Sequence, residues 1–198
     1  MAKRDVHNTR GRIIEAAWRL FYERGYEETT VDEIIAASAT SKGSFYHYFD
    51  GKDALLRELS YLFDEKYNAL AAALDPAMNS FDKLLDLNRE LFVMIENSIS
   101  MELLARLYSS QLVTRGERHL LDRNRTYFRL LRQIVQEGQA RGELTPALPA
   151  AEIVKRYALC ERALIYDWCL CNGEYSLSAY AREVLPAFLA HLRAGAEK

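Results

Sequence analysis

The stretch TVDEIIAASATSKGSFYHYFDGK, residues 30–52, decides the fold. Val31, Ile34, Ile35 and Ala37 recur at a spacing that gives a helix one face to bury. Thr30 with Glu33 three positions on forms a capping box, each side chain satisfying an orphan backbone donor at the helix start. A second helix spans 41–49 and buries Phe45 and Phe49, leaving Lys42, Ser44, Tyr46, His47 and Tyr48 to point elsewhere. Two short helices, a tight joint and a polar, aromatic outer face on the second are the layout of a helix-turn-helix DNA reader.

Outward from there, residues 8–56 read NTRGRIIEAAWRLFYERGYEETTVDEIIAASATSKGSFYHYFDGKDALL. This run resembles the DNA-binding domain of the TetR (tetracycline-repressor) family of transcriptional regulators, from its first helix to the start of its fourth. The resemblance is specific over the first third of the chain and architectural beyond it. One residue departs from the pattern. The family usually carries Gly in the turn, two positions before the Ser that opens the recognition helix, and this chain has Ala39. A left-handed backbone is open to Gly and costs Ala about 1 kcal/mol, so a slightly reshaped turn is expected within an unchanged fold.

Composition sets the limits. The chain has 198 residues, 49% hydrophobic and 27% charged, with 4 Pro and 9 Gly mostly at segment ends. Helix-period patterning fills nearly everything between, which points to an all-α protein of one or two domains. No apolar run approaches the roughly 18 residues of a membrane span, and the first eight residues lack the apolar stretch of a signal peptide, so a cytoplasmic location is expected. The net charge of −2 argues for no nucleic-acid partner, and residues 1–55 hold eight Lys and Arg against nine Asp and Glu. Placement must supply what the totals do not: Lys3, Arg4, Arg10 and Arg12 crowd the N-terminal arm, and Lys42 and Lys52 flank the recognition helix. Cys160, Cys169 and Cys171 are an odd set in one late helix and read as small buried hydrophobes.

Nine helices are expected: 9–24, the pair already described, 52–75, 80–98, 101–112, 117–141, 150–172 and 177–194, with 143–149 as the clearest linker. This is the helix count and order of the TetR-like fold. The division falls inside the fourth helix, giving a DNA-binding domain at 1–56 and an effector-binding and dimerisation domain at 57–198.

The DNA-contacting set is Arg10, Thr30, Ser41, Lys42, Gly43, Ser44, Tyr46, His47, Tyr48 and Lys52. By the family resemblance, Thr30, Tyr46 and Lys52 grip phosphates while residues 41–44 and His47 approach base edges in the major groove. Helix N-termini at Thr30, Ser41 and Lys52 add amides suited to phosphate. Gly43 removes a Cβ where a groove wall comes close. The resemblance further implies a homodimer through the last two helices, on a palindromic double-stranded operator, and a small-molecule effector. Phe92, Met94, Met101, Tyr108, Tyr127, Tyr166 and Trp168 are the candidate lining of an effector pocket, with Glu161, Arg162 and Asp167 as polar groups beside it or as a solvated face. Leu159, Ile165, Trp168, Val184, Phe188 and Leu189 are core or interface.

Enzymatic function has little to stand on. The Glu-x-x-His pairs of a di-iron bundle are missing, as are G-x-S-x-G, phosphate-loop glycines and Cys/His metal spacing. No metal or cofactor is expected. The leading reading is a ligand-released repressor; its alternative is a DNA-bound factor that acts through a protein partner without an inducer.

Overall fold

The computed structural model describes the backbone of residues 3–113 and 118–195 and the side chains of 9–60, 63–113 and 118–195. The side chains of Lys3 and Arg4, the side chain of Leu62 and the expected helix start at Glu117 lie outside the described residues. Among the described residues there are nine α-helices: α1 (Lys3–Arg24), α2 (Val31–Ala37), α3 (Lys42–Tyr48), α4 (Lys52–Ala73), α5 (Ser80–Ser98), α6 (Met101–Val113), α7 (Thr126–Ala140), α8 (Ala150–Leu170) and α9 (Leu177–Leu189). None is long and apolar enough to cross a membrane.

By its internal contacts the chain forms two units, Met1–Tyr61 with Glu102–His119, and Leu62–Met101 with Leu120–Lys198. The division between these units falls within α4 at 61/62. The contacts of α6 group it with the front. The reason is chemical and far apart in sequence: the Glu102 carboxylate accepts the Tyr26 N–H at 3.1 Å, and Arg106 pairs with Glu27.

In the first unit α1, α2 and α3 pack on one another around Ile13, Ala17, Phe21, Ile34, Phe45 and Phe49, all buried. α4 closes this core with Leu55, Leu56 and Leu59. In the second unit α5 packs against α9 and α7, and α8 against α7 and α9. The inward stripe of α5, Leu84, Leu87, Leu91, Phe92 and Ile95, is at most 4% exposed. Gly138 on α7 is a packing glycine, since a Cβ there would lie 2.6 Å from the Ser80 Cβ.

Several helix ends differ from expectation, α1 beginning at Lys3 in place of residue 9. The helix expected over 117–141 is instead a short 3₁₀ turn, His119–Leu121, followed by α7 from Thr126. Asp122 breaks it by accepting the Asn124 N–H at 2.9 Å, a local turn that competes with the helical ladder. α8 stops at Leu170, where Asn172 and Gly173 turn left-handed at φ 50° and 72°. α9 gives way after Leu189 to a 3₁₀ turn at Ala190–Leu192. The expected linker at 143–149 is a loop fastened at both sides: Thr145 donates to the Leu192 carbonyl, and the Gln139 amide donates to the carbonyls of Thr145 and Leu148.

Candidate nucleic-acid interface

The joint between α2 and α3 is built from local rules. Thr30 caps α2: its hydroxyl accepts the Glu33 N–H at 3.2 Å, and Glu33 accepts the Thr30 N–H at 2.8 Å. Those hydrogen bonds hold the Glu33 carboxyl below its ordinary range. At the other end Ala39 sits at φ 50°. The Ala39 N–H donates to the Ala36 carbonyl and the Thr40 N–H to the Ile35 carbonyl, at 3.1 and 3.2 Å. This is a complete Schellman motif with Ala in the position that glycine usually holds. The left-handed turn expected from the family pattern is therefore made in spite of the substitution.

Ser41 then caps α3, accepting the Ser44 N–H at 3.0 Å. Phe45 and Phe49 are buried at 0% and 3%, which fixes the roll of α3. Ser41, Lys42, Gly43, Tyr46 and His47 are consequently exposed together, with Ser44 and Tyr48 half-buried. Tyr46 stands edge-on to Phe45 at 5.3 Å, and Tyr48 packs edge-on against His47 at 4.8 Å. Nothing in the protein demands a glycine at 43, since the nearest atom to a Cβ there is the Ser41 Oγ at 3.9 Å.

The other residues of the candidate set are differently placed. Lys42 Nζ lies 3.5 Å from Asp32 Oδ1, with the two side chains 68% and 79% exposed; pairs so open to water contribute at most about 1 kcal/mol. Arg10 donates to Glu58 at 2.7 Å and lies over the Phe49 ring. Glu58 is largely buried, and burial pushes its carboxyl above the ordinary range even beside that guanidinium. Arg10 is thus a strut between α1 and α4. Lys52 donates to the Tyr26 carbonyl at 2.6 Å and the Glu27 carbonyl at 3.3 Å, with its ammonium 4.3 Å from the Tyr26 ring centre.

Around residues 25–27 the first unit has a clamp that sequence reasoning did not find. Lys52 and Asp53 of α4 hold Tyr26 from one side, Asp53 accepting its hydroxyl. Glu102 and Arg106 of α6 hold the same loop from the other. Gly25 takes φ 86°, so the backbone favours glycine, and a Cβ there would sit 3.0 Å from a Glu102 oxygen, which would have to shift slightly. No local pattern links Glu102 to a loop 76 residues earlier.

In the second unit the candidate pocket residues differ in burial. Phe92, Tyr127 and Trp168 are buried, Met94 and Met101 are half-buried, and Tyr166 points outward at 47% exposure. Tyr108 lies on α6 in the first unit. What the core does hold is Glu161, 3% exposed. Its carboxylate accepts from the Tyr127 hydroxyl at 2.5 Å, the Tyr157 hydroxyl at 2.9 Å and the Asn88 amide at 2.9 Å. Burial raises its carboxyl above the ordinary range, and the three donors oppose that shift. A groove of about 240 Å³ lies between α5 and α9, lined by Leu85, Arg182 and Leu185 among others. The three thiols are half-buried, and burial pushes Cys169 up to about 11, which keeps it protonated.

A capped pair of short helices around a left-handed turn, the second rolled by two buried phenylalanines to present a polar face, is a helix-turn-helix unit. Residues 13–59 match the family model described as bacterial regulatory proteins, tetR family. The likeness to the tetR family is thus carried by the helix-turn-helix residues of the first unit. It is 44% identical over 59 residues to the uncharacterised HTH-type transcriptional regulator YuxN of Bacillus subtilis, covering 29% of this chain and 20% of that one. With two further relatives the match covers 24% and 47% of their length, so the chain spans less than half of these curated relatives. The HTH-type transcriptional repressor KstR2 of Mycobacterium tuberculosis is 26% identical over 93% of this chain and 92% of its own. Among solved structures, Thermus thermophilus FadR, a TetR-family repressor in complex with lauroyl-CoA, superposes with a TM-score of 0.74 at 23% identity, over 92% of this chain and 94% of that one.

Proposed function

We propose that this chain is a homodimeric repressor that reads a palindromic operator through α2 and α3 and releases it when a small molecule binds the second unit. The observation that carries the reading is the exposed face of α3, held over a fixed phenylalanine base. Within it, Ser41, Lys42, Gly43, Ser44 and His47 approach base edges, and Thr30, Tyr46 and Tyr48 contact the sugar–phosphate backbone. Gly43 supports this, because its missing Cβ relieves no crowding inside the protein. Arg10 and Lys52 act by holding α1 and α4 against the reading unit.

Dimerisation is supported by α8 and α9. Leu159, Tyr166 and Leu170 are 57%, 47% and 66% exposed and fall within about 40° of one another on α8. Tyr180 and Phe188 continue the apolar surface on α9 at 45% and 54% exposure. Contiguous exposed apolar residues mark an interaction face. Two-fold pairing there sets recognition helices about one DNA turn, 34–36 Å, apart. Repression is supported by KstR2, a repressor, and the effector by the lauroyl-CoA held in T. thermophilus FadR. A second reading, a DNA-bound factor working through a protein partner, is favoured by one observation: the core around Glu161 is packed and its carboxylate already has three donors.

The test is selection of bound DNA from a random pool with the molar mass measured by light scattering. A palindrome bound by a dimer is the expected result. Failure to enrich any sequence at low salt overturns the proposal. Titrating the complex with acyl-CoAs separates the two readings, since release supports the effector.

A further inference from the structure

We infer that Asp32 is a specificity-determining residue of the DNA face, accepting a hydrogen bond from the exocyclic amino group of a cytosine beside a guanine read by Lys42. The inference rests on the operator-reading proposal above and extends it to an acidic residue on α2 whose carboxylate lies beside Lys42.

Lys42 is the sole lysine or arginine of α3, and in the free protein its ammonium lies 3.5 Å from the Asp32 carboxylate. The two side chains leave different helices and meet at the exposed surface, where neither is buried by the fold. Asp32 lies in the first turn of α2, where a carboxylate suits the helix N-terminus, and its side chain has no other described partner than Lys42. Its neighbour Glu33 completes the capping box and pairs with Arg24, whereas Asp32 accepts from Lys42. An unburied carboxylate beside the only cation of a recognition helix weakens phosphate binding, because it cancels the charge that would displace counterions. Its presence is accounted for if it reads a base. In the major groove cytosine presents an N4 amino donor, which an acceptor-only carboxylate matches, and guanine presents the O6 and N7 acceptors that suit an ammonium. The spacing of 3.5 Å between the two groups equals one base-pair step, about 3.4 Å along a strand. A Lys–Asp pair so placed selects a guanine and an adjacent cytosine together. It rejects phosphates and the acceptor edges of other bases by repulsion, so specificity is gained at the expense of sequence-independent affinity.

The experiment compares the wild-type dimer with Asp32→Asn and Lys42→Ala in DNA selection from a random pool, followed by affinity measurements across a salt series. In Asp32→Asn, cytosine preference at one position of each half-site drops by about fivefold or more, the scale of a single lost base contact. Its affinity for random duplex rises about eightfold at 0.1 M salt, with the salt slope steeper by about 0.9. Lys42→Ala loses the adjacent guanine and keeps the cytosine. If Asp32→Asn enriches the same operator as the wild type, Asp32 is a solvated side chain and the inference is overturned. It is equally overturned if Asp32→Asn stays folded by circular dichroism and binds nothing, since the carboxylate would then act only by positioning Lys42. A wild type that enriches no DNA refutes the operator-reading proposal itself, a result distinct from either.

Discussion

Ala39→Gly tests whether the turn between α2 and α3 is held against a local preference. Ala39 sits at φ 50° in an otherwise complete Schellman motif. The left-handed region costs an L-residue with a Cβ about 1–2 kcal/mol. Gly removes that strain but gives the unfolded chain extra freedom, which offsets about 0.4–1 kcal/mol. Ala39 is exposed, so its methyl contributes little burial. The balance is a gain of about 0.5–1 kcal/mol, or about 1–4 °C in Tm for a chain of this size. Urea titration followed by far-UV circular dichroism measures it as a higher midpoint at unchanged slope. Operator affinity should stay within twofold, because both hydrogen bonds of the motif are already made. Ala39→Val provides the opposite sign: a β-branched residue in this region is a genuine outlier and should lose more than 1 kcal/mol. A glycine variant no more stable than wild type, or a valine variant equal to it, would falsify the claim that residue 39 is strained.

Three other outcomes follow from the geometry. Lys52→Ala removes charged donors from the Tyr26 and Glu27 carbonyls and should destabilise by about 1–2 kcal/mol, whereas Lys42→Ala, losing only an exposed pair, should stay within about 0.5 kcal/mol; the reverse order of urea midpoints would refute the clamp. Burial raises Glu161 above its ordinary value of 4.5, so its contribution is complete below that value and declines as pH rises through the raised one. Glu161→Gln keeps an acceptor and should reduce the pH slope of the urea midpoint above 4.5, leaving the same-signed part due to Glu58; equal slopes in both proteins would refute it. Leu159→Asp with Phe188→Asp, both at exposed positions, should bring the light-scattering mass to the 22.8 kDa of one chain and weaken operator binding by about 100-fold through lost avidity; a persistent dimer would move the interface elsewhere.

The helix-turn-helix was legible because its determinants are local. Caps at Thr30 and Ser41, the buried pair Phe45 and Phe49 and the left-handed turn at Ala39 each depend on residues within a few positions of one another. The roles of Arg10 and Lys52 were not legible, because a cation's partner is set by tertiary contacts: Glu58 lies 48 positions from Arg10, and Tyr26 lies 26 from Lys52. The same distance problem hid α6, whose Glu102 completes the front unit. Periodicity also misread the approach to α7, where the Asp122 side chain satisfies the backbone locally and halts the helix. In the second unit, aromatic composition suggested a pocket and could not distinguish a lining from a core. Tyr127 and Trp168 are core, Tyr166 is surface, and the polar centre is Glu161.

Part of the slight acidity of residues 1–55 is taken up by partners within the first unit. Glu33 is consumed by the cap and by Arg24, and Asp53 by the Tyr26 hydroxyl. From α4, Glu58 takes up Arg10, and Glu102 on α6 is consumed by backbone N–H groups. These acids answer internal donors and project little field outward. The same accounting removes Arg10, Arg24 and Lys52 from the pool of free cations. What remains at the α3 surface is one lysine with one aspartate beside it, amid hydroxyls and aromatic rings. A surface of that kind draws little on counterion release, so under the operator-reading proposal its grip on DNA comes from hydrogen bonds and shape, and a second copy would strengthen it. The charge balance is therefore an argument for the dimer more than an argument against DNA.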